Sequence, residues 1–212
     1  MNTANQSPSL ENRGRLATFG LYAYLLSTAG MLVSELLELS GMVDLDVFEP
    51  APLAGLVTFA YLINLPIVIG CIILVAMWLY RAHASLREMG FETEVSPGWA
   101  VGWYFIPLAN LVMPYKSMKD LWNTSLSDTG DFSSTAPTAI NVWWGCWIVS
   151  NMVNWQSTRL SLSESAAEYE LSLILGAIGS AISIGAAYFL MGLIRDITRA
   201  QTDGLVAQDV FA

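Results

Sequence analysis

Charge is scarce in this chain: 13% of its 212 residues are Asp, Glu, Lys or Arg, where a soluble domain carries about 25%. Basic residues number nine, and none stands between Arg15 and Arg81. Phosphate recognition needs a basic face, so this shortage excludes nucleic acid as a partner. Histidine occurs once, at His83, and cysteine twice, at Cys71 and Cys146, both inside apolar runs. A metal site usually draws on three or four ligands, which these residues do not supply. The cysteines read as small buried hydrophobes. No G-x-S-x-G, H-E-x-x-H or P-loop motif is present, and no nucleophile has a base placed beside it. Neither enzymatic activity nor a cofactor is expected.

What fills the chain instead is apolar. Hydrophobic residues make up 54% of it and the mean hydropathy is +0.50, the balance of an integral membrane protein. Four runs can cross a hydrocarbon core of about 30 Å, which needs roughly 20 helical residues. They lie at about 16–38, 53–80, 139–157 and 171–194. Polar tails at 1–15 and 200–212 flank this single membrane domain. Ser27-Thr28-Ala29 is a weak leader-cleavage site, and the retained helix is the favoured reading. In the second run, Pro66 follows Asn64 and predicts a kink, because proline offers no backbone donor.

A fifth apolar stretch, from Pro97 to Tyr115, is interrupted by Pro107 and Pro114 and followed at once by Lys116 and Lys119. It is too short and too broken for an ordinary span. Basic residues in short loops mark the cytoplasmic side. Arg13, Arg15, Arg81, Arg87, Lys116, Lys119, Arg195 and Arg199 share one side only if this stretch does not cross. The expected fold is therefore all-α and integral to the membrane, with four transmembrane helices, both termini cytoplasmic, and a re-entrant or interfacial helical element at about 97–122.

The run Arg81-Ala-His-Ala-Ser-Leu86, then Ser96-Pro-Gly-Trp-Ala-Val-Gly-Trp-Tyr-Phe-Ile-Pro-Leu-Ala-Asn-Leu-Val-Met-Pro-Tyr115, then Trp122 and Trp143-Trp144, resembles the bacterial membrane family called domain of unknown function 4328. The likeness covers roughly residues 53–195. It implies a multi-helix domain in a bacterial cytoplasmic membrane and implies no reaction. Position 83 is more often polar and uncharged in such sequences, so His83 is not carried over as a family ligand.

Three groups of residues are candidates for function. Trp99, Trp103, Asn110, Lys116, Lys119 and Trp122 are placed to contact lipid or a ligand, the plainer reading being aromatic anchors at headgroup level. Asn64, Pro66, Asn141 and Asn151 mark a possible polar pathway, although asparagine also bridges membrane helices. Gly176, Gly179, Ser180, Ser183 and Gly185 form a small-residue face for close helix packing, within the chain or between copies. Trp143, Trp144, Trp147 and Trp155 read as interfacial anchors, His83 as an interfacial side chain, and Glu35 and Glu38 as a solvated pair. The expected activity is non-enzymatic association with membrane lipids, with a second copy as a homo-oligomer, or with a larger membrane complex. The alternative is a small channel or carrier for a small polar or lipidic molecule, gated by the 97–122 element.

Overall fold

The computed structural model describes residues 7–43, 52–126 and 138–211, and every regular element among them is helical. In chain order these are α1 (Ser7–Leu39), α2 (Pro52–Glu88), α3 (Pro97–Gly102), α4 (Met113–Leu126), α5 (Thr138–Leu160) and α6 (Ala166–Phe211). Two 3₁₀ turns, Trp103–Phe105 and Ala109–Leu111, connect α3 to α4.

Three helices are long and apolar enough to cross a membrane: Ser9–Leu39, Leu53–Glu88 and Ala166–Asp203, with mean hydropathies of 1.5, 2.5 and 2.0. Their outward faces are apolar too, with Phe19, Leu26, Leu62 and Leu65 all well exposed. Such a surface is costly in water and matches hydrocarbon. The fourth helix, α5, is long enough, but Asn141, Asn151, Asn154 and Gln156 dilute its apolar character.

The helices outrun the apolar runs. Helix α1 begins at Ser7, inside the segment expected to be a polar tail, because that segment packs: Leu10 is fully buried, and the Ser9 hydroxyl accepts a 2.9 Å bond from Arg81 Nε. Helix α6 likewise continues through most of the segment expected to be a polar tail. Both α1 and α2 stop at a glycine in the left-handed region, Gly41 (φ 70°) and Gly90 (φ 88°). Met42 N–H then reaches Leu37 O, and Phe91 N–H reaches Leu86 O, closing the orphan carbonyls of each last turn. Helix α2 stays continuous through Pro66.

The chain divides into two compact units. Unit 1 comprises Met1–Leu21, Cys71–Val142 and Phe189–Ala212. Its core is built on Leu10, Trp78, Leu86, Met118, Leu121 and Ile197. The Trp78 indole N–H donates to Thr198 Oγ1 at 2.9 Å, and a Cβ placed on Gly14 would sit 2.9 Å from that hydroxyl and 3.2 Å from the Thr198 methyl. Helices α1, α2 and α6 thus meet on one threonine.

Unit 2 comprises Tyr22–Gly70 and Trp143–Tyr188. Its interior includes many small polar side chains, with Ser27, Thr28, Ser34, Glu35, Ser150, Ser172, Ser180 and Ser183 all buried. Trp143 and Trp144 are buried here rather than interfacial, and Trp144 stacks on Trp147 at 4.6 Å. Trp155 is exposed, with the Arg159 guanidinium 5.9 Å from its ring.

Candidate functional site

Within unit 1, the stretch from Pro97 is short because its residues stop each helix soon after starting it. Ser96 takes extended backbone (φ −71°, ψ 152°), and its hydroxyl accepts from Trp99 N–H, with Pro97 at the first helical position. Six residues later the backbone tightens into a 3₁₀ turn, and Ile106, ahead of Pro107, is extended (φ −105°, ψ 111°), the conformation that proline imposes on its predecessor. Pro114 then stands near the start of α4.

The element is two-faced. On α4, Pro114, Ser117, Met118, Leu121 and Ser125 are buried. Ahead of them, Trp99, Phe105, Ile106, Leu108, Leu111 and Val112 are exposed, Phe105 at 79% and Leu108 at 83%. Lys116 is exposed and Lys119 half-buried, and neither forms an ion pair with a described residue. Trp99 stacks on Trp103 with ring centroids 4.6 Å apart, while Trp122 is half-buried. Asn110 Oδ1 and Trp103 Nε1 are buried atoms without a hydrogen-bond partner among the described residues. All six predicted contact residues therefore come from one element whose apolar rim is exposed, and within it Asn110 keeps its side-chain oxygen buried.

The buried face of α4 is held by polar contacts. His83 is fully buried, not interfacial, and its Nε2 lies 3.0 Å from Ser117 Oγ, while Nδ1 has no partner. The spacing of Leu79, Ala82, His83 and Leu86, three and four apart, carries the signal for that burial. Gln201 Nε2 donates to Ser125 Oγ at 2.8 Å. Asp120 accepts from Val95 N–H at 3.4 Å. Burial raises its carboxyl above the usual value of 3.8, against the backbone amides of Val95 and Glu94, which favour the charged form. Burial likewise raises the Tyr104 phenol.

The asparagines of the expected polar pathway each bond to a different partner. In unit 2, Asn64 Nδ2 donates to Ser27 Oγ at 2.8 Å, linking α2 to α1 two residues before Pro66, while Asn151 Nδ2 donates to Trp147 O of its own helix at 2.7 Å. In unit 1, Asn141 Oδ1 accepts from Tyr115 Oη at 2.8 Å.

The small-residue face of α6 receives polar side chains of this same chain. A Cβ on Gly176 would overlap the Glu35 carboxylate, and one on Gly179 would overlap the Asn154 amide. Ser180 Oγ donates to Glu35 Oε2 at 3.0 Å, and Asn154 Nδ2 to Ser183 Oγ at 3.4 Å. Gly185 faces open space. Glu35 is therefore buried, 6% exposed, and not solvated. The heptad spacing Gly14, Leu21, Thr28, Glu35 is the sequence signal that places it on the packed face of α1. One turn on, Glu38 accepts from Tyr61 Oη at 2.8 Å and Tyr169 Oη at 2.7 Å.

Among the described residues no group of three or more His, Cys, Asp or Glu side chains is arranged to hold a metal ion. No curated protein and no solved structure matches the chain. Residues 52–199, which hold the whole of the Ser96–Tyr115 motif, match one family model, and the chain accordingly belongs to the family described as Domain of unknown function (DUF4328).

Proposed function

We propose that this protein is a multi-pass membrane protein that works by association, and that the 97–122 element is its lipid-contacting platform, seated at the membrane surface and binding anionic headgroups. One observation carries the reading: the exposed apolar rim from Trp99 to Val112 runs directly into Lys116 and Lys119, on a helix whose other face is buried. Apolar side chains enter the boundary between headgroups and acyl chains, and each lysine near an anionic surface adds about 1 kcal/mol of attraction. In this reading α5 is a fourth span, and Lys116 and Lys119 share the cytoplasmic side of a bacterial inner membrane with both termini. Its asparagine side chains find partners in Tyr115, Trp147 and Ser183, which lowers the cost of placing them in hydrocarbon. Association with a second copy or a larger complex belongs to the same proposal, and catalysis does not.

The test is lipid retention by the full chain. Purified from membranes of mixed lipid, the wild type is expected to keep anionic lipid in native mass spectrometry, and the K116Q/K119Q variant to lose it. Equal retention by both overturns the headgroup assignment.

A channel or carrier gated at 97–122 remains the second reading. What favours it is the oxygen-rich interior of unit 2 rather than the asparagines.

A further inference from the structure

Glu35 is a carboxylate with too few partners. The residue is 6% exposed, one hydroxyl donates to its carboxylate, and its Oε1 accepts no bond from a described residue. Glu38, by contrast, takes two phenol donors. No countercharge is at hand: Arg159 is the one basic residue within the sequence ranges of unit 2, and its guanidinium lies over Trp155. The titratable groups around Glu35 are Glu38 on its own helix, Tyr61 from α2 and Tyr169 from α6, and none of them supplies positive charge. A carboxylate buried in that position carries a desolvation cost that a cation or a proton would relieve.

The surroundings are built from oxygen. Gly176 leaves the space that Oε1 occupies, and Ser157 Oγ borders the same face, 3.2 Å from where a Cβ would stand. Ser157 gives its hydrogen to Ser172 O at 2.8 Å and Ser180 gives its hydrogen to Glu35, so each hydroxyl has spent its one donor and keeps acceptor capacity on its oxygen. Carboxylate and hydroxyl oxygens are the ligands of hard cations, and a carboxylate oxygen equally takes a proton. We propose that Glu35, with Ser180 and Ser157, forms a binding site for one monovalent cation, the proton included, on the seam of α1, α5 and α6. The site stands independently of the lipid platform.

Thermal unfolding of the full chain in detergent tests this, comparing wild type and E35Q across pH, in sodium chloride or in choline chloride at equal ionic strength. A midpoint that shifts with sodium, with the shift lost in E35Q, identifies a metal cation. A midpoint that ignores sodium but shifts with pH, with that shift reduced in E35Q, identifies the proton. The same dependence in both proteins, or no dependence in wild type, overturns the proposal. Should E35Q fail to fold, carbodiimide modification of wild-type Glu35, read by peptide mass spectrometry, decides. Modification suppressed by raised pH or by sodium supports the site, and modification that is absent or indifferent to both overturns it.

Discussion

The side chain of Asn154 lies against the bare backbone of Gly179, in the space a Cβ would need. The same holds for Glu35 and Gly176, so two glycines of α6 are small because two polar side chains of this chain fill the gap. G176A and G179A should each destabilise the protein by about 1–3 kcal/mol through overpacking against the polar side chain packed there. G185A, where a methyl group meets nothing within 4 Å, should be neutral or stabilising by up to about 1 kcal/mol from helix propensity. Chemical or thermal unfolding in detergent checks the contrast, and equal costs at all three positions would remove the explanation.

His83 and Ser117 should behave as a coupled pair. S117A leaves His83 Nε2 buried and unpartnered, at a cost of about 1–3 kcal/mol. H83L/S117A, which removes both polar groups, should cost less than the sum of the single changes. A double-mutant cycle on unfolding free energies measures the coupling, and strict additivity would show that the contact contributes nothing.

Asp120 should make stability depend on pH. Burial raises its folded-state value above 3.8, so the folded chain holds this proton more readily than the unfolded one. The contribution is present at low pH and is lost as pH rises from the ordinary carboxylate value through the raised one. D120N should remove this component, leaving a weaker fall in midpoint over that window than in wild type. Parallel profiles would refute the assignment.

Single cysteines replacing Ser163 and Ser127, the latter outside the described residues, should label from opposite faces of the membrane when α5 is a span. Labelling of both from one face would remove the fourth crossing.

Much of the helical content was legible as apolar runs, and the interruption at 97–122 could be read from Pro97, Pro107 and Pro114. The helix ends were not, because hydropathy marks the part of a helix that suits hydrocarbon rather than the part that is helical. Residues 81–88 continue α2 on the strength of Arg81, whose NH1 lies 2.9 Å from both Glu88 oxygens while its Nε reaches Ser9. Rotation about the helix axis was the second hidden quantity. Asn151 returns to its own backbone whereas Asn154, three residues on, enters the seam, and composition cannot separate the two. For Glu35 the information was present as a heptad spacing, masked by the fact that a carboxylate near a helix end is usually solvated.

Thr198 leaves little freedom of choice at its position. Its hydroxyl answers the Trp78 indole while its methyl and hydroxyl together close against Gly14. Valine would match the shape and leave the indole N–H without its acceptor, and serine would keep the acceptor and open a gap the size of a methyl group. Shape and polarity are therefore required together, so threonine alone among these close isosteres lets α1, α2 and α6 share one contact point.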